Sequence, residues 1–140
     1  MEYLKTSYSR SPGHWFLVPF IILPLPFLFL SDLVIEIYHR VAFPVCKIPY
    51  VKRSEYILIF DRARLQYLNP LQKVFCMYCG YANGLLRYQK EIAGRTEQYW
   101  CGIMHKNAPG FKAPSDQIEN NFAKFGDAED FKKKYPNKRR

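Results

Sequence analysis

The sequence has few of the residues that mark familiar catalytic sites. Three histidines, four cysteines and 7 glycines occur in 140 residues. There is no H-E-x-x-H helix, no Ser/His/Asp order and no glycine-rich phosphate cradle, so zinc proteases, triad hydrolases and phosphate-loop enzymes have no signature here. No internal repeat appears, which excludes a solenoid. Acidic side chains are scarce, Asp+Glu 12 against Lys+Arg 21, a formal charge of +9. That excess suits nucleic acid and an anionic membrane surface equally. No A-x-A-like cleavage site follows the apolar stretch, and four cysteines do not read as a secreted disulfide framework. Metal ligation in a reducing compartment is the better expectation. At 49% hydrophobic and 17% aromatic residues, the chain is too apolar to be wholly disordered. Its length allows one small domain with appendages.

What is abundant is a single apolar run. From Trp15 to Ser31, WFLVPFIILPLPFLFLS, seventeen residues pass without an ionisable side chain. A crossing helix needs about 20 mostly apolar residues, and Leu17 to Ile37 supplies them only with Asp32 and Glu36 near one interface. Pro19, Pro24 and Pro26 each remove a backbone donor, so a kink or interruption is expected at Pro24 and Pro26. Two forms stay open: a kinked transmembrane crossing, which is favoured, and a re-entrant or interfacial segment. Lys5 and Arg10 precede the run, whereas Arg40, Lys47, Lys52 and Arg53 follow it. The positive-inside rule then places the C-terminal domain in the cytoplasm, at the inner membrane. Trp15, Tyr38, His14 and His39 are expected at headgroup level. Asp32, Glu36 and Arg40 share one helical face, which reads as an interfacial ion-paired stripe rather than an ion or proton path.

The chain accordingly divides into an N-terminal tail (1–14), a membrane anchor (15–40), a membrane-surface linker (41–60), a small helical Cys/His domain (61–108) and a polar basic C-terminal tail (109–140). The linker is expected to be extended, with a short strand at Tyr56 to Phe60. Asp61 is placed to cap a short helix over RARLQYL, and Asn69 before Pro70 to start another towards Cys76. From Ala82 to His105 one helix or two are expected, with Gly84 and Gly94 as interruptions. Asp116 and Glu119 match a capping box, Gly126 a stop, and Asp127 to Asp130 the start of a short helix that ends before Pro136.

The strongest chemical signal is Cys76-Met-Tyr-Cys79-Gly80 followed by Cys101-Gly-Ile-Met-His105. A C-x2-C-G turn can aim two sulfurs at one centre, and Cys101 and His105, four apart on a helix, can supply two further ligands. Three thiolates and one imidazole close a tetrahedral shell, so the expected occupant is a structural zinc that staples the small domain. Cys46 is a spare ligand, and an all-cysteine set would also suit iron or an iron-sulfur cluster. Glu97, one turn before Cys101, is placed to orient a ligand, or to belong to a surface ion-pair set with Glu91 and Arg95. The bland alternative is that the cysteines are small core residues.

YCGYANG, followed by EIAGRTEQYWC and a nearby His, resembles a family of uncharacterised small bacterial proteins with one hydrophobic N-terminal segment. The resemblance covers about Tyr38 to Lys106, and implies membrane anchoring without any particular activity. Where that family has proline this chain has Gly102, a departure that bears on the geometry between Cys101 and His105. The reading is a mainly α, membrane-anchored, zinc-binding accessory or scaffolding protein, attracted to anionic headgroups and open to a membrane-protein partner. Catalysis is not required by any residue. The alternative is a membrane-associated redox or metal-dependent enzyme with an iron or open zinc centre. Nucleic acid ranks last as a partner, because the basic residues are spread along the chain.

Overall fold

Proline sets the boundaries of the first two helices in the computed structural model, which describes residues 12–136. α1 (Pro12–Ile22) and α2 (Leu25–Cys46) are separated at Leu23 and Pro24, where Pro24 and Pro26 lack the donors an unbroken helix needs. The Tyr78 hydroxyl donates to the Ile21 carbonyl at 2.6 Å at this break, partnering an acceptor beside it. The stretch Phe16–Cys46 is long and apolar enough to cross a membrane, and the protein is a membrane-associated helical one. α2 runs past the expected end at Arg40, because Pro44 lies in its last turn and removes one bond only. Lys47 then closes it in the left-handed region at φ 55, its N–H and that of Ile48 turning back to Phe43.

α3 (Pro70–Trp100) begins as expected, with the Asn69 side chain accepting from the Gln72 N–H and Gln72 returning the bond in a capping box. It does not stop at Cys76. The segments expected to flank a turn at CMYCG are one continuous helix of 31 residues. Gly80 and Gly84 serve close approach rather than chain reversal: a Cβ at Gly80 would lie 2.6 Å from the Leu58 carbonyl oxygen, and one at Gly84 2.7 Å from that of Tyr56.

α3 runs parallel to α2. Tyr78 meets Ile21, Tyr88 meets Glu36, and Thr96 meets Tyr38. Parallel neighbours need a return path, and the segment 47–69 supplies it by running back along both helices. It carries 3-10 turns at Arg53–Glu55 and Arg62–Arg64. No strand forms at Tyr56 to Phe60, where the backbone packs on glycines of a helix instead of on another strand. Asp61 makes no cap bond, and the helix expected over RARLQYL is reduced to the turn Arg62–Arg64. The core is Phe43, Val51, Tyr81, Leu85, Tyr88 and Ile92.

The region 109–136 was expected as a solvated tail but folds back on the end of α3. The Met104 N–H donates to the Ala123 carbonyl and the Ala123 N–H to the Gly102 carbonyl, each at 2.8 Å, around an Ile103–Ala123 bridge, and Gln117, Phe122 and Ala123 are buried. α4 (Ser115–Glu119) starts after Pro114, which has no polar side chain to cap it, so the expected Asp116–Glu119 capping box does not form; Asp116 lies inside the helix and turns to Lys90 on α3 at 3.4 Å. α5 (Ala128–Lys134) is capped by Asp127, which accepts from the Asp130 N–H, and Gly126 precedes it at φ 77. Lys5, Arg10, Lys138, Arg139, Arg140 and the side chains of His14 and Trp15 lie outside the described residues.

Candidate functional site

The polar residues of α2 other than the exposed Arg40 face inwards. Asp32, Glu36 and His39 are spaced to share one side of the helix, and that side meets α3 and the returning segment. Arg53 grips Asp32 with both ends of its guanidinium, Nη2 to Oδ2 at 2.6 Å and Nη1 to Oδ1, and the Tyr81 hydroxyl donates to Oδ2 at 2.9 Å. Arg53 also lies 3.9 Å from Glu36. Gln89 donates to Ser31. Thr96 donates to the Ile92 carbonyl and therefore accepts from Tyr38.

At the centre of this seam the protons can be assigned. His39 Nε2 accepts from the Val51 N–H at 3.1 Å. A neutral imidazole that accepts at Nε2 carries its proton at Nδ1, so Nδ1 donates to the Tyr88 hydroxyl 2.9 Å away. Tyr88 in turn donates to Glu36 Oε2 at 2.9 Å, and Arg40 donates to Oε1 at 2.7 Å. His39, expected at the membrane interface, is fully buried, because its two ring nitrogens both have partners inside. Burial pushes the phenols of Tyr81 and Tyr88 up, Tyr81 to about 12, reinforced by the carboxylates they donate to. The hydrogen bond to Asp32 raises Arg53. Asp32, Glu36 and His39 were legible as polar positions in an apolar segment; Arg53 was read only as a flanking charge and Tyr81 only within YCGYANG, and Tyr88 was not singled out. The signal for the two tyrosines was their seven-residue spacing, two turns apart on one face.

The opposite face of α2 is apolar along its whole length. Phe27, Leu30, Val34, Ile37, Val41 and Val45 are all exposed, at the three- and four-residue steps of a single stripe. α1 exposes Phe16, Leu17, Phe20, Ile21 and Ile22 without regard to side. The outer face of α3 is different, with Asn83, Arg87 and Lys90 exposed beside Leu86.

The four expected metal ligands are not brought together. Cys76 and Cys79 lie within α3, whereas Cys101 is the residue that ends it. The 22 residues from Cys79 to Cys101 span about 33 Å of helix. The closed shell of Cys76, Cys79, Cys101 and His105 is therefore not assembled within one chain, and the same distance separates an all-cysteine iron set. The physical reason is that CMYCG is helix interior rather than a turn. No group of three or more His, Cys, Asp or Glu suited to a metal occurs among the described residues. The spare cysteine, Cys46, lies beside the Tyr99 hydroxyl and pushes that phenol up. Glu97 does sit near His105, at 3.8 Å, but its carboxylate is held by the buried Gln117 amide at 2.8 Å. Glu91 and Arg95 do form the ion pair read from their spacing, at 2.8 Å.

An open cleft of about 1020 Å³ lies where the ends of α2, α3 and α5 meet. Lys47, Arg95, Lys134, Tyr99, Trp100 and Tyr135 are among the side chains that wall it, with Glu91 its one carboxylate. No protein-family profile, curated protein or solved structure matches the chain.

Proposed function

We propose that the protein is an accessory or scaffolding module that lies along the cytoplasmic surface of a membrane. α1 enters the acyl region, α2 rests in the interface with its outer stripe in lipid, and α3 with the C-terminal lobe faces water. The observation that carries this reading is the inverted polarity of α2, apolar outside and polar inside. Residues facing lipid are apolar, and the charged ones turn towards protein.

The parallel partner helix supports lying over crossing. If α2 stood upright in the bilayer, α3 would stand beside it and bring exposed Arg87 and Lys90 towards hydrocarbon, at about 2.5–3.5 kcal/mol each. Lys52 and Glu55 on the returning segment are exposed at the same level. Lying flat leaves all four in water. At the α1 end, Leu58, Phe60, Leu71 and Val74 are exposed and extend the apolar surface around the break. Each seam group already has its partner within the protein, which suits a rigid support better than turnover. Zinc on Cys76 and Cys79 would need ligands from a second chain.

The test is depth. Single tryptophans at Leu30 and Val45, in a background with Trp15 and Trp100 replaced by Phe, are placed in vesicles containing lipids brominated at different chain positions. The two residues are about 22 Å apart along the helix axis. A flat helix gives equal quenching depths, and depths that differ by most of that length would establish a crossing and overturn the proposal.

A further inference from the structure

We infer that the cleft between the ends of α2, α3 and α5 binds the phosphate of an anionic lipid headgroup. The inference rests on the membrane-surface reading above. The cleft opens at the end of the lipid-facing stripe: Val45 is the last exposed apolar residue of α2, and Lys47, two residues on, is already in the cleft wall. Tyr99 joins the same wall from α3. Trp100 beside it is highly exposed, the placement of an amphipathic ring at headgroup level.

Charge then selects the ligand. Three cations line the cleft against Glu91 alone. Lys47 is exposed and makes no ion pair among the described residues. Its left-handed backbone places it beyond the last helical turn. Arg95 is held by two fixed bonds, Nε to Glu91 and Nη1 to the Pro49 carbonyl, each 2.8 Å. Its Nη2 edge is left for an acceptor, and a guanidinium oriented in advance loses little freedom on meeting phosphate. Lys134 is bound to Asp130 at 3.0 Å and contributes less. Pro136 also lines the cleft. The volume is that of a small-molecule site. A soluble phosphate would offer the same oxygens, but it would gain nothing from the adjoining apolar stripe, whereas a lipid engages both.

The experiment uses the full-length Trp15→Phe protein, which leaves Trp100 as its one tryptophan, in phosphatidylcholine vesicles. Brominated phosphatidylglycerol or brominated phosphatidylcholine is added at equal mole fraction. The expected result is stronger quenching of Trp100 by phosphatidylglycerol. Lys47→Gln should lower that preference about fivefold, the effect of one surface cation near anionic lipid, whereas Lys112→Gln, at an exposed site off the cleft, should not. Arg95→Gln should lower it as well, and circular dichroism of that variant checks its folding. Equal quenching by the two lipids overturns the proposal, as does a preference unchanged in Lys47→Gln. Loss of the preference on adding inorganic phosphate at constant ionic strength would assign the cleft to free phosphate instead. The readout is a ratio between lipids at one residue, so it fails independently of the depth comparison between Leu30 and Val45.

Discussion

Replacing Gly84 by alanine tests the packing that organises the whole molecule. In the interior of a helix this change ordinarily stabilises by about 1 kcal/mol, because alanine has less backbone freedom to lose. Here the new methyl group would lie 2.7 Å from the Tyr56 carbonyl oxygen and 2.9 Å from the Ile57 Cα. Both are backbone atoms and neither can rotate away. The returning segment has to retreat by a few tenths of an ångström, and Ile57 is bonded through its N–H to the Arg53 carbonyl. The strain therefore reaches the residue that clamps Asp32. Overpacking of this kind costs about 1–3 kcal/mol, which leaves Gly84→Ala destabilised by up to about 2 kcal/mol after the propensity gain. Gly94→Ala is the internal comparison. Its methyl would meet the Asp116 carboxylate at 2.8 Å, a side chain that can swing aside at the expense of a pair with the exposed Lys90, so the net change should be near zero. Thermal melts by circular dichroism in one detergent should rank Gly94→Ala close to wild type and Gly84→Ala several degrees below it. A Gly84→Ala protein that melts above wild type would refute the close approach of the segment to α3.

Other outcomes follow from single contacts. Arg53→Gln removes the clamp from Asp32 and a neighbouring charge from Glu36; with Arg53 partly exposed, the loss should be about 2 kcal/mol by denaturant melting, between surface and buried ion pairs, and a value near zero would remove the seam as a stabilising element. Cys76→Ala should keep the fold and cost under about 1 kcal/mol; joint loss of folding and of bound zinc would show that the cysteines converge after all. In an ultraviolet titration Tyr81 should ionise only at about pH 12, and Tyr81→Phe should remove that late phenol while leaving the earlier ones. Asp130 is held below the ordinary carboxylate range, chiefly by the Lys124 N–H and then by Lys134. Its contribution is full above its unfolded value and disappears as pH falls through the lowered folded one, so exchange of the Lys124 amide should speed up across that window, and pH-independent exchange there would contradict the assignment.

Local signals in the sequence carried some elements and not others. The break at Pro24, the Asn69 cap before Pro70 and the Asp127 cap each depend on neighbouring residues, and each was readable without tertiary knowledge, whereas Gly126 ends no helix: α4 stops at Glu119. Gly80 and Gly84 show where local reading fails. A glycine that frees a turn and one that admits another backbone look alike until the partner is known, and taking Gly80 as a turn created a metal site from residues about 33 Å apart. The polar positions Asp32 and Glu36 were visible as exceptions in an apolar segment. Their partners Tyr81 and Tyr88 were hidden because they stand 49 and 52 residues away in sequence, and no local period encodes which helix a tyrosine will face.

The parallel course of α2 and α3 also sets an order of events during synthesis. Asp32 and Glu36 leave the ribosome about 50 residues before the tyrosines that will meet them, an interval of roughly 3–10 s at ordinary elongation rates. Throughout that interval α2 is an amphipathic helix with bare carboxylates, too polar on one side to sink into hydrocarbon and too apolar on the other to stay in solution. On the proposed surface placement, that balance would hold the nascent chain at the membrane, and the later arrival of α3 would fix a position the first helix had already taken.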